Sequence, residues 1–324
     1  MKVAFYDTKP YDKVWFEEKK TADIEIQYFE TRLTERTAKL AEGFEVVCVF
    51  VNDELNSKVI DTLYKVGVKL IALRCAGFNN VDLEAAKGKL KVVRVPAYSP
   101  YAVAEHAMAL LLTLNRKTHR AFNRTREGNF TLNGLTGFDL RGKTVGVVGT
   151  GKIGKIFIDI CRGFGMNIIA YDVYPDPNLD VKYVDKDELL RESDIISLHC
   201  PLTEQTFHFI DGESIEKMKT GAILINTSRG ALVKKEALLA GLRTKKLGGA
   251  GLDVYEEEAD YFYEDKSNDI IEDDILALLV SMSNVIVTSH QAFLTNEALM
   301  NIADTTINNI LQFKNGEELT NIVK

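Results

Sequence analysis

Short runs of aliphatic and β-branched residues alternate with amphipathic segments through the first hundred residues. Five of these runs predict strands, and residues 57–66 and 82–89 have the apolar spacing of helices. The predicted strands are Lys2–Tyr6, Ile24–Tyr28, Glu45–Phe50, Lys69–Leu73 and Lys91–Val95. Apolar strands separated by helices are typical of a parallel sheet that is covered on both faces.

A second alternating set begins near Lys143 and predicts a second parallel sheet. Its strands are Thr144–Val148, Asn167–Tyr171, Asp194–Leu198, Ala222–Asn226, Gly248–Leu252 and Val285–Thr288. One long helix is predicted between the two sets, from about residue 101 to 126, because Pro100 precedes a run with helical spacing. A last helix is predicted over 296–313, and the acidic segment 256–274 is expected to be a mostly exposed loop with a short helix.

A glycine-rich turn, Gly149-Thr150-Gly151-Lys152-Ile153-Gly154, follows the first strand of the second set and opens a helical pattern. This context is the one that a dinucleotide-binding turn requires, since its glycines allow a tight turn and a close approach of the pyrophosphate to the backbone. Asp172 ends the next predicted strand, where a carboxylate binds ribose hydroxyls and repels the extra phosphate of NADP. The sequence therefore predicts an NAD site.

The position of this turn predicts the domain organisation. A complete α/β unit precedes residue 149, so the first hundred residues are expected to form a separate domain. We predict an α/β protein with two doubly wound parallel-sheet domains. Residues 1–100 and 296–324 would form a flavodoxin-like substrate domain, and residues 101–295 a Rossmann NAD-binding domain.

Composition narrows the class of protein. The formal net charge of −7 argues against binding of nucleic acid, and no apolar run reaches the length that spans a bilayer. The four cysteines lie far apart, and three of them sit in apolar runs, which is typical of reduced core residues in a cytoplasmic protein. No metal site is predicted.

Three residues near the ends of predicted strands could catalyse reduction of a keto acid: Arg229, Glu258 and His290. An arginine matches a carboxylate, a histidine can protonate a carbonyl oxygen, and a neighbouring carboxylate favours the protonated histidine. Other interpretations remain open. Arg229 could form a surface ion pair, a solvated loop fits Glu258 equally well, and His290 could be an ordinary loop histidine.

The remaining candidates are less specific. Asp253 could accept a hydrogen bond from the nicotinamide amide or be a turn residue at the end of a strand. His199 lies beside Cys200 and is expected to have a structural role. The other histidines, His106, His119 and His208, are weaker catalytic candidates.

Several motifs in the same order resemble the D-isomer-specific 2-hydroxyacid dehydrogenases, and among them most closely the fermentative D-lactate dehydrogenases. These motifs are the opening residues 5–12, the loop 74–82, the run 95–100, residues 104–106, the glycine-rich turn, the run 193–203 and the three segments that carry the catalytic candidates. One departure is Lys234, where the family usually has Asp. The resemblance implies NADH-dependent reduction of pyruvate to D-lactate by a homodimer or homotetramer.

The resemblance also implies roles for individual residues. His290 would donate the proton, Glu258 would be its partner, and Arg229 would bind the substrate carboxylate together with the backbone N–H groups of Ala76 and Gly77. Tyr98 and Phe293 would shape the pocket for the substrate side chain. The residues that would line the NAD site are Gly149, Gly151, Lys152, Ile153, Gly154, Asp172, Cys200, Pro201, Thr206, Thr227, Ser228 and Asp253.

Two other functions stay open. A reductase for glyoxylate or for a larger 2-keto acid would differ in only a few pocket side chains, and one methylene there changes the transition-state free energy by only about 1–3 kcal/mol. An NAD-sensing binding protein of the same fold is the alternative from a different class. It is disfavoured because the chain carries all three of Arg229, Glu258 and His290.

Overall fold

The computed structural model describes residues 1–323, with the backbone alone at Asp260. The chain divides into two compact units. Unit 1 comprises residues 1–99 and 294–324, and unit 2 comprises residues 100–293. Each unit is built on its own parallel sheet, so the α/β fold class is confirmed.

Strands and helices alternate along most of the described chain. The strands are β1 (Lys2–Phe5), β2 (Glu25–Tyr28), β3 (Val46–Val49), β4 (Leu70–Leu73), β5 (Lys91–Val93), β6 (Thr144–Val148), β7 (Asn167–Tyr171), β8 (Lys182–Tyr183), β9 (Ile195–Leu198), β10 (Ala222–Asn226), β11 (Leu247–Leu252) and β12 (Val285–Val287). The helices are α1 (Pro10–Lys19), α2 (Ser57–Lys65), α3 (Leu83–Ala86), α4 (Pro100–Arg116), α5 (Thr118–Arg126), α6 (Lys152–Gly163), α7 (Lys186–Glu192), α8 (Gly212–Lys217), α9 (Lys235–Arg243), α10 (Asp274–Ser281) and α11 (Asn296–Asn315). Short 3-10 helices span Ala38–Ala41, Gly230–Leu232 and Glu258–Asp260.

The sheet of unit 1 has the strand order β2-β1-β3-β4-β5 among the described residues, which is the flavodoxin-like order. Every residue of β3 and β4 is buried, as expected for central strands covered on both faces. The last helix, α11, packs on α1 and β4, so the end of the chain completes the core of this unit.

The sheet of unit 2 has the order β12-β11-β10-β9-β6-β7-β8. The order in which successive strands are added reverses between β6 and β9. Alternate residues of its strands enter two separate apolar clusters. On one face Val147, Ile195 and Ile225 pack with side chains of α4 and α6, and on the other face Ile196 and Leu224 pack with side chains of α7 to α10. This is the doubly wound Rossmann arrangement, whose ligand crevice lies at the carboxyl ends of the strands where the order reverses.

The prediction of a single long helix over residues 101–126 is wrong, because the chain forms two helices, α4 and α5, separated at Lys117. Lys117 adopts the left-handed conformation, with φ at 51°. The cause is a tertiary contact at the end of α4: the Asn115 carboxamide donates to Phe138 O at 2.8 Å and accepts from Phe138 N at 2.9 Å. Lys117 Nζ also donates to Thr136 O at 2.7 Å, so the chain turns at residues 115–117 to hold this segment.

The acidic segment 256–274 is mostly exposed and contains the short 3-10 helix Glu258–Asp260, as expected, but Phe262 within it is 5% exposed and packs on the core of unit 2. Tyr255, immediately before it, is also buried, and its hydroxyl donates to Asp273 at 2.8 Å. In the described chain no helix has both the length and the apolar character needed to cross a membrane.

The departure at Lys234 weakens a helix start. Lys234 is the N-cap of α9, in extended conformation with φ at −68° and ψ at 113°, but its side chain offers no acceptor to the first turn. We expect Lys234→Asn to raise the free energy of unfolding by about 1 kcal/mol, because an N-cap carboxamide oxygen accepts from an otherwise unpaired N–H. Chemical denaturation measures this change, with Lys234→Ala as the control that removes the charge without adding an acceptor. Equal stabilities of the two variants would contradict the capping argument.

Candidate active site

The carboxyl ends of β10, β11 and β12 are level, because the three strands pair in parallel with Asn226 opposite Leu252 and Leu252 opposite Val287. Arg229 follows β10, Asp253 follows β11, and His290 follows β12, each within three residues of its strand end. Parallel strands that end together bring the loops that follow them to the same edge of the sheet. This edge of unit 2 therefore carries an arginine, a carboxylate and a histidine.

His290 is paired with Glu258. The His290 Nδ1 to Glu258 Oε1 distance is 2.6 Å, and Glu258 Oε2 accepts from the N–H of Tyr255 at 2.8 Å. A carboxylate can only accept, so Nδ1 carries the proton and Nε2 is left as the nitrogen that can exchange a proton with a ligand. Both side chains keep about a fifth of their surface exposed, 22% for His290 and 23% for Glu258, so the pair is accessible.

The backbone of His290 is held in an unusual conformation. Its φ is 51°, in the left-handed region that residues other than glycine rarely adopt. Three hydrogen bonds fix it there: the His290 N–H donates to Asp253 O at 2.7 Å and Thr288 O at 3.1 Å, and the Tyr263 hydroxyl donates to His290 O at 2.9 Å. The surrounding contacts thus determine the direction of the imidazole.

The carboxylate of Asp253 organises the turn that carries His290. It is 0% exposed and accepts from the N–H groups of Gln291 at 2.9 Å and Ala292 at 2.8 Å, and from the Thr288 hydroxyl at 2.5 Å. The Thr288 proton is used in that bond, so His106 Nε2 is the donor toward Thr288 Oγ1 at 3.1 Å and lies 3.3 Å from Asp253 Oδ1. Protein donors therefore occupy both oxygens of Asp253.

Arg229 is half-buried and its guanidinium retains free donors. Nη1 donates to Ser228 O at 2.7 Å, while Asn226 Nδ2 donates to Arg229 O at 2.9 Å and fixes the backbone of the loop. Among the described residues Arg229 forms no salt bridge, so its planar fork can bind the carboxylate of a ligand.

The glycine-rich turn lies at the point where the sheet of unit 2 reverses. Gly149 has φ at 94°, and a Cβ there would lie 2.7 Å from the backbone of His199 and Cys200. A Cβ on Gly154 would collide with the carbonyl oxygen of Gly149, whereas Gly151 faces open space. Two glycines therefore permit the close packing of turn, strand and helix, and the third leaves room beside the N-terminus of α6, whose amides favour phosphate.

Asp172 lies directly after β7, with one oxygen on the glycine-rich turn. Asp172 Oδ2 accepts from Thr150 N at 2.6 Å and Thr150 Oγ1 at 2.9 Å, and Oδ1 accepts from Tyr174 N at 2.9 Å. The side chain remains partly exposed, so it has acceptor capacity left for ribose hydroxyls. These contacts fit an adenosine ribose and disfavour a 2′-phosphate.

The other predicted NAD-site residues follow β9, β10 and the glycine-rich turn. Thr227 is buried, and its hydroxyl has no partner among the described residues, as expected of a group that awaits a ligand. Ser228 Oγ donates to Leu198 O at 3.0 Å, and Thr206 Oγ1 donates to Pro201 O at 2.7 Å. Burial raises the pKa of the Cys200 thiol to about 11, so Cys200 is uncharged. Lys152 is exposed and Ile153 half-buried at the start of α6.

The predicted carboxylate loop lies in unit 1. Ala76 and Gly77 follow β4 and are half-buried. Tyr98 is also half-buried, and its carbonyl oxygen accepts from Asn301 Nδ2 at 2.7 Å. Phe293 is the last residue of unit 2 and is 7% exposed. Their roles toward a substrate stay predictions.

A second histidine makes a carboxylate contact as short as that of His290. His208 Nε2 lies 2.6 Å from Glu256 Oε1, the same separation as in the His290 pair, and the ring stacks on Phe207 with centroids 3.9 Å apart. The difference is chemical, because His208 pairs through Nε2 and His290 pairs through Nδ1. His208 also lies ten residues beyond the end of β9, whereas His290 lies three residues beyond the end of β12.

His199 is structural. Burial lowers its pKa from the ordinary 6.5 to about 3, so the ring is neutral at working pH and cannot act as an acid. Its Nε2 lies 2.9 Å from Ser197 Oγ, and the ring packs on Phe157 with centroids 4.8 Å apart.

Residues that support the candidate site were missed by sequence reasoning. His106 and Thr288 surround Asp253, Tyr263 binds the backbone of His290, and Tyr183 donates to Thr150 Oγ1 at 2.9 Å. Of these residues, only His106 could have been found from the sequence, because it lies in the motif 104–106. That motif did not predict its contact with Asp253. Within residues 1–323 no cluster of three or more His, Cys, Asp or Glu side chains is arranged to hold a metal ion.

Comparison with known proteins shows what this chain is similar to. Residues 108–292 match the family described as "D-isomer specific 2-hydroxyacid dehydrogenase, NAD binding domain". The D-lactate dehydrogenase of Escherichia coli strain K12 is 53% identical over 326 residues, covering 99% of both chains. The apo-structure of a D-lactate dehydrogenase from Escherichia coli gives a TM-score of 0.92 with 49% identity and full coverage of both chains. The pyruvate reductase of Chlamydomonas reinhardtii gives a TM-score of 0.94 with 45% identity, covering 99% of this chain and 98% of the other.

The buried neutral His199 predicts a pH-dependent stability. Between about pH 6.5 and 3 the unfolded chain binds a proton at this residue that the folded chain does not, so stability falls as the pH falls, by about 1.4 kcal/mol per unit. We expect His199→Gln to flatten this part of the curve, because glutamine keeps a donor near Ser197 and does not titrate. Urea unfolding at pH 7, 6, 5 and 4 measures both slopes. Parallel curves for the wild type and the variant would contradict the burial argument.

Proposed function

Because the chain belongs to the D-isomer-specific 2-hydroxyacid dehydrogenases, which are NAD-dependent enzymes, we propose that it reduces pyruvate to D-lactate. The observation that carries this proposal is the His290–Glu258 pair at the edge of the sheet that also carries Arg229. The full-length similarity to a D-lactate dehydrogenase supports pyruvate as the substrate.

The proposed chemistry assigns one step to each group. Reduced NAD, when bound, supplies the hydride that adds to the carbonyl carbon of the keto acid. His290, protonated on both nitrogens, donates its Nε2 proton to the carbonyl oxygen, and Glu258 stabilises the imidazolium through Nδ1. In the reverse direction neutral His290 takes the proton of the hydroxyl group through Nε2.

The substrate carboxylate requires cationic and N–H donors. We assign Arg229 to this role, with the backbone N–H groups of Ala76 and Gly77 as further donors. A guanidinium binds a carboxylate through two parallel hydrogen bonds and can also polarise the adjacent carbonyl group. Tyr98 and Phe293 are assigned to the substrate side chain, and they would decide between pyruvate and a larger 2-keto acid.

The residues proposed for the NAD site follow the family pattern. Gly149, Gly151 and Gly154 are assigned to the turn that binds the pyrophosphate, and Asp172 is assigned to the adenosine ribose. The others are Lys152, Ile153, Cys200, Pro201, Thr206, Thr227, Ser228 and Asp253. For Asp253 we add a positioning role, because its oxygens already hold the turn that carries His290. We further propose that unit 1 is the substrate domain and unit 2 the NAD-binding domain, in a cytoplasmic homo-oligomer.

The substrate proposal is tested with purified protein and NADH against pyruvate, 2-ketobutyrate, 2-ketoisocaproate, glyoxylate and phenylpyruvate, followed by chiral analysis of the product. We expect pyruvate to give the highest kcat/KM and D-lactate to be the product. A preference for 2-ketoisocaproate or glyoxylate would replace pyruvate with another member of the class. Absence of NADH oxidation with all five acids would favour the NAD-sensing binding protein.

The two histidine–carboxylate pairs at 2.6 Å, His290–Glu258 and His208–Glu256, provide a matched test of the proton donor. We expect His290→Asn to lower kcat/KM for the keto acid by about 10²–10⁴-fold, the range for loss of a general acid. His208→Asn removes an imidazole from an equally short carboxylate contact and is expected to keep near wild-type activity. Steady-state kinetics and the thermal unfolding midpoint of both variants separate catalysis from folding. Equal losses in the two variants would contradict the assignment of His290.

A further inference from the structure

In the loop that follows β4 the carbonyl groups of residues 75–77 accept hydrogen bonds, whereas two of the amide groups donate none within the described chain. Cys75 O accepts from Val95 N at 3.1 Å, Ala76 O accepts from Arg94 Nη1 at 2.8 Å, and Gly77 O accepts from Cys75 Sγ at 3.3 Å. By contrast, the N–H groups of Ala76 and Gly77 donate to no acceptor within residues 1–323. Successive unpaired backbone N–H groups are what a small anion requires of a peptide loop.

Arg94 determines where one of these amides points. In a trans peptide the carbonyl group and the N–H group lie in one plane and point in opposite directions. Because Arg94 Nη1 binds the carbonyl of Ala76, the N–H of Gly77 is directed away from the guanidinium. A charged donor on the carbonyl oxygen also polarises the peptide group, which makes the opposite N–H a stronger donor.

Arg94 is itself fixed within unit 1. Its guanidinium lies over the ring of Phe78, with the carbon 5.1 Å from the ring centroid. Its backbone N–H donates to Asn321 O at 3.1 Å, and its carbonyl oxygen accepts from Asn309 Nδ2 at 3.0 Å. Asn309 is 1% exposed, and it accepts in turn from Asn321 Nδ2 at 2.8 Å. The side chain thus reaches the loop from a backbone held by α11 and the C-terminal segment.

We propose that Arg94 is a positioning residue for the substrate carboxylate, which it serves by orienting and polarising the Ala76–Gly77 peptide. Arg94 acts through the backbone and does not touch the substrate. This inference rests on the proposed function, in which the amides of Ala76 and Gly77 bind the carboxylate of a 2-keto acid. It predicts that loss of Arg94 weakens carboxylate binding more than it slows the chemical step.

The test is steady-state kinetics of Arg94→Met with pyruvate, together with inhibition by oxamate, an unreactive carboxylate of similar shape. We expect the KM for pyruvate and the inhibition constant of oxamate to rise together by roughly 10-fold, the effect of about 1.4 kcal/mol. The kcat and the dissociation constant of NADH, measured by fluorescence, should change less than about threefold, because neither depends on this peptide. Arg94→Lys, which keeps a charged donor, should recover most of the loss.

Lys91→Met is the matched control. Lys91 lies in β5, three residues before Arg94, and its ammonium group sits over the ring of Phe313 at 5.7 Å, so this variant also removes a cation from an aromatic face. Lys91 donates to no atom of residues 75–78 in the described chain, and we expect its pyruvate KM to be unchanged. Should Arg94→Met fail to fold, Phe78→Leu removes the ring under the guanidinium, with an expected rise in pyruvate KM of roughly threefold.

The outcomes separate this inference from the function on which it rests. A wild-type enzyme that reduces pyruvate, with unchanged pyruvate KM and oxamate inhibition in folded Arg94→Met, would overturn the role of Arg94 alone. Equal losses in kcat, NADH binding and pyruvate KM would also overturn it, since they indicate general disruption. A wild-type protein that reduces none of the five keto acids would overturn both statements.

Discussion

The parallel register of β10, β11 and β12 is the constraint on which the candidate site depends. Because Asn226, Leu252 and Val287 lie opposite one another, the three strands end at the same level. Arg229 and His290 can then reach one edge of the sheet from loops of only a few residues. Chemistry at this edge requires no long flexible segment, and the strands that carry the loops are held by the two apolar clusters that cover the sheet.

A buried carboxylate turns this coarse placement into a defined geometry. Asp253 is fully buried, and burial of a charge is costly unless hydrogen bonds compensate it. Its compensating donors come from Thr288, Gln291 and Ala292, which flank His290 on both sides. The hydrogen bonds that compensate for burial of Asp253 thus fix the turn in which His290 adopts positive φ. The left-handed conformation persists because these neighbouring contacts determine it.

Sequence reasoning located the glycine-rich turn and every described strand except the two-residue β8, because these features depend on local pattern. Burial on both faces makes a central strand such as β10 apolar up to its last residue, Asn226, and the spacing of Gly149 and Gly154 follows from backbone collisions that a Cβ would cause. The break at Lys117 was missed because its cause is the carboxamide of Asn115 bound to Phe138, more than twenty residues away. A periodic apolar pattern contains no information about such a contact.

The pairing of neighbouring glutamates with histidines at the candidate site also depends on contacts that the sequence pattern does not contain. Glu256 and Glu258 are equivalent in a run of three glutamates, yet each pairs with a different histidine at 2.6 Å. The two glutamates lie two residues apart in the turn after β11. Glu258 is anchored by the N–H of Tyr255 and contacts His290, whereas Glu256 contacts His208. The pairing through Nδ1 leaves Nε2 of His290 available to a ligand, whereas His208 uses Nε2 for its own carboxylate. The chemical difference between the two pairs therefore lies in which ring nitrogen the fold occupies, a property of tertiary geometry that residue type and spacing do not encode.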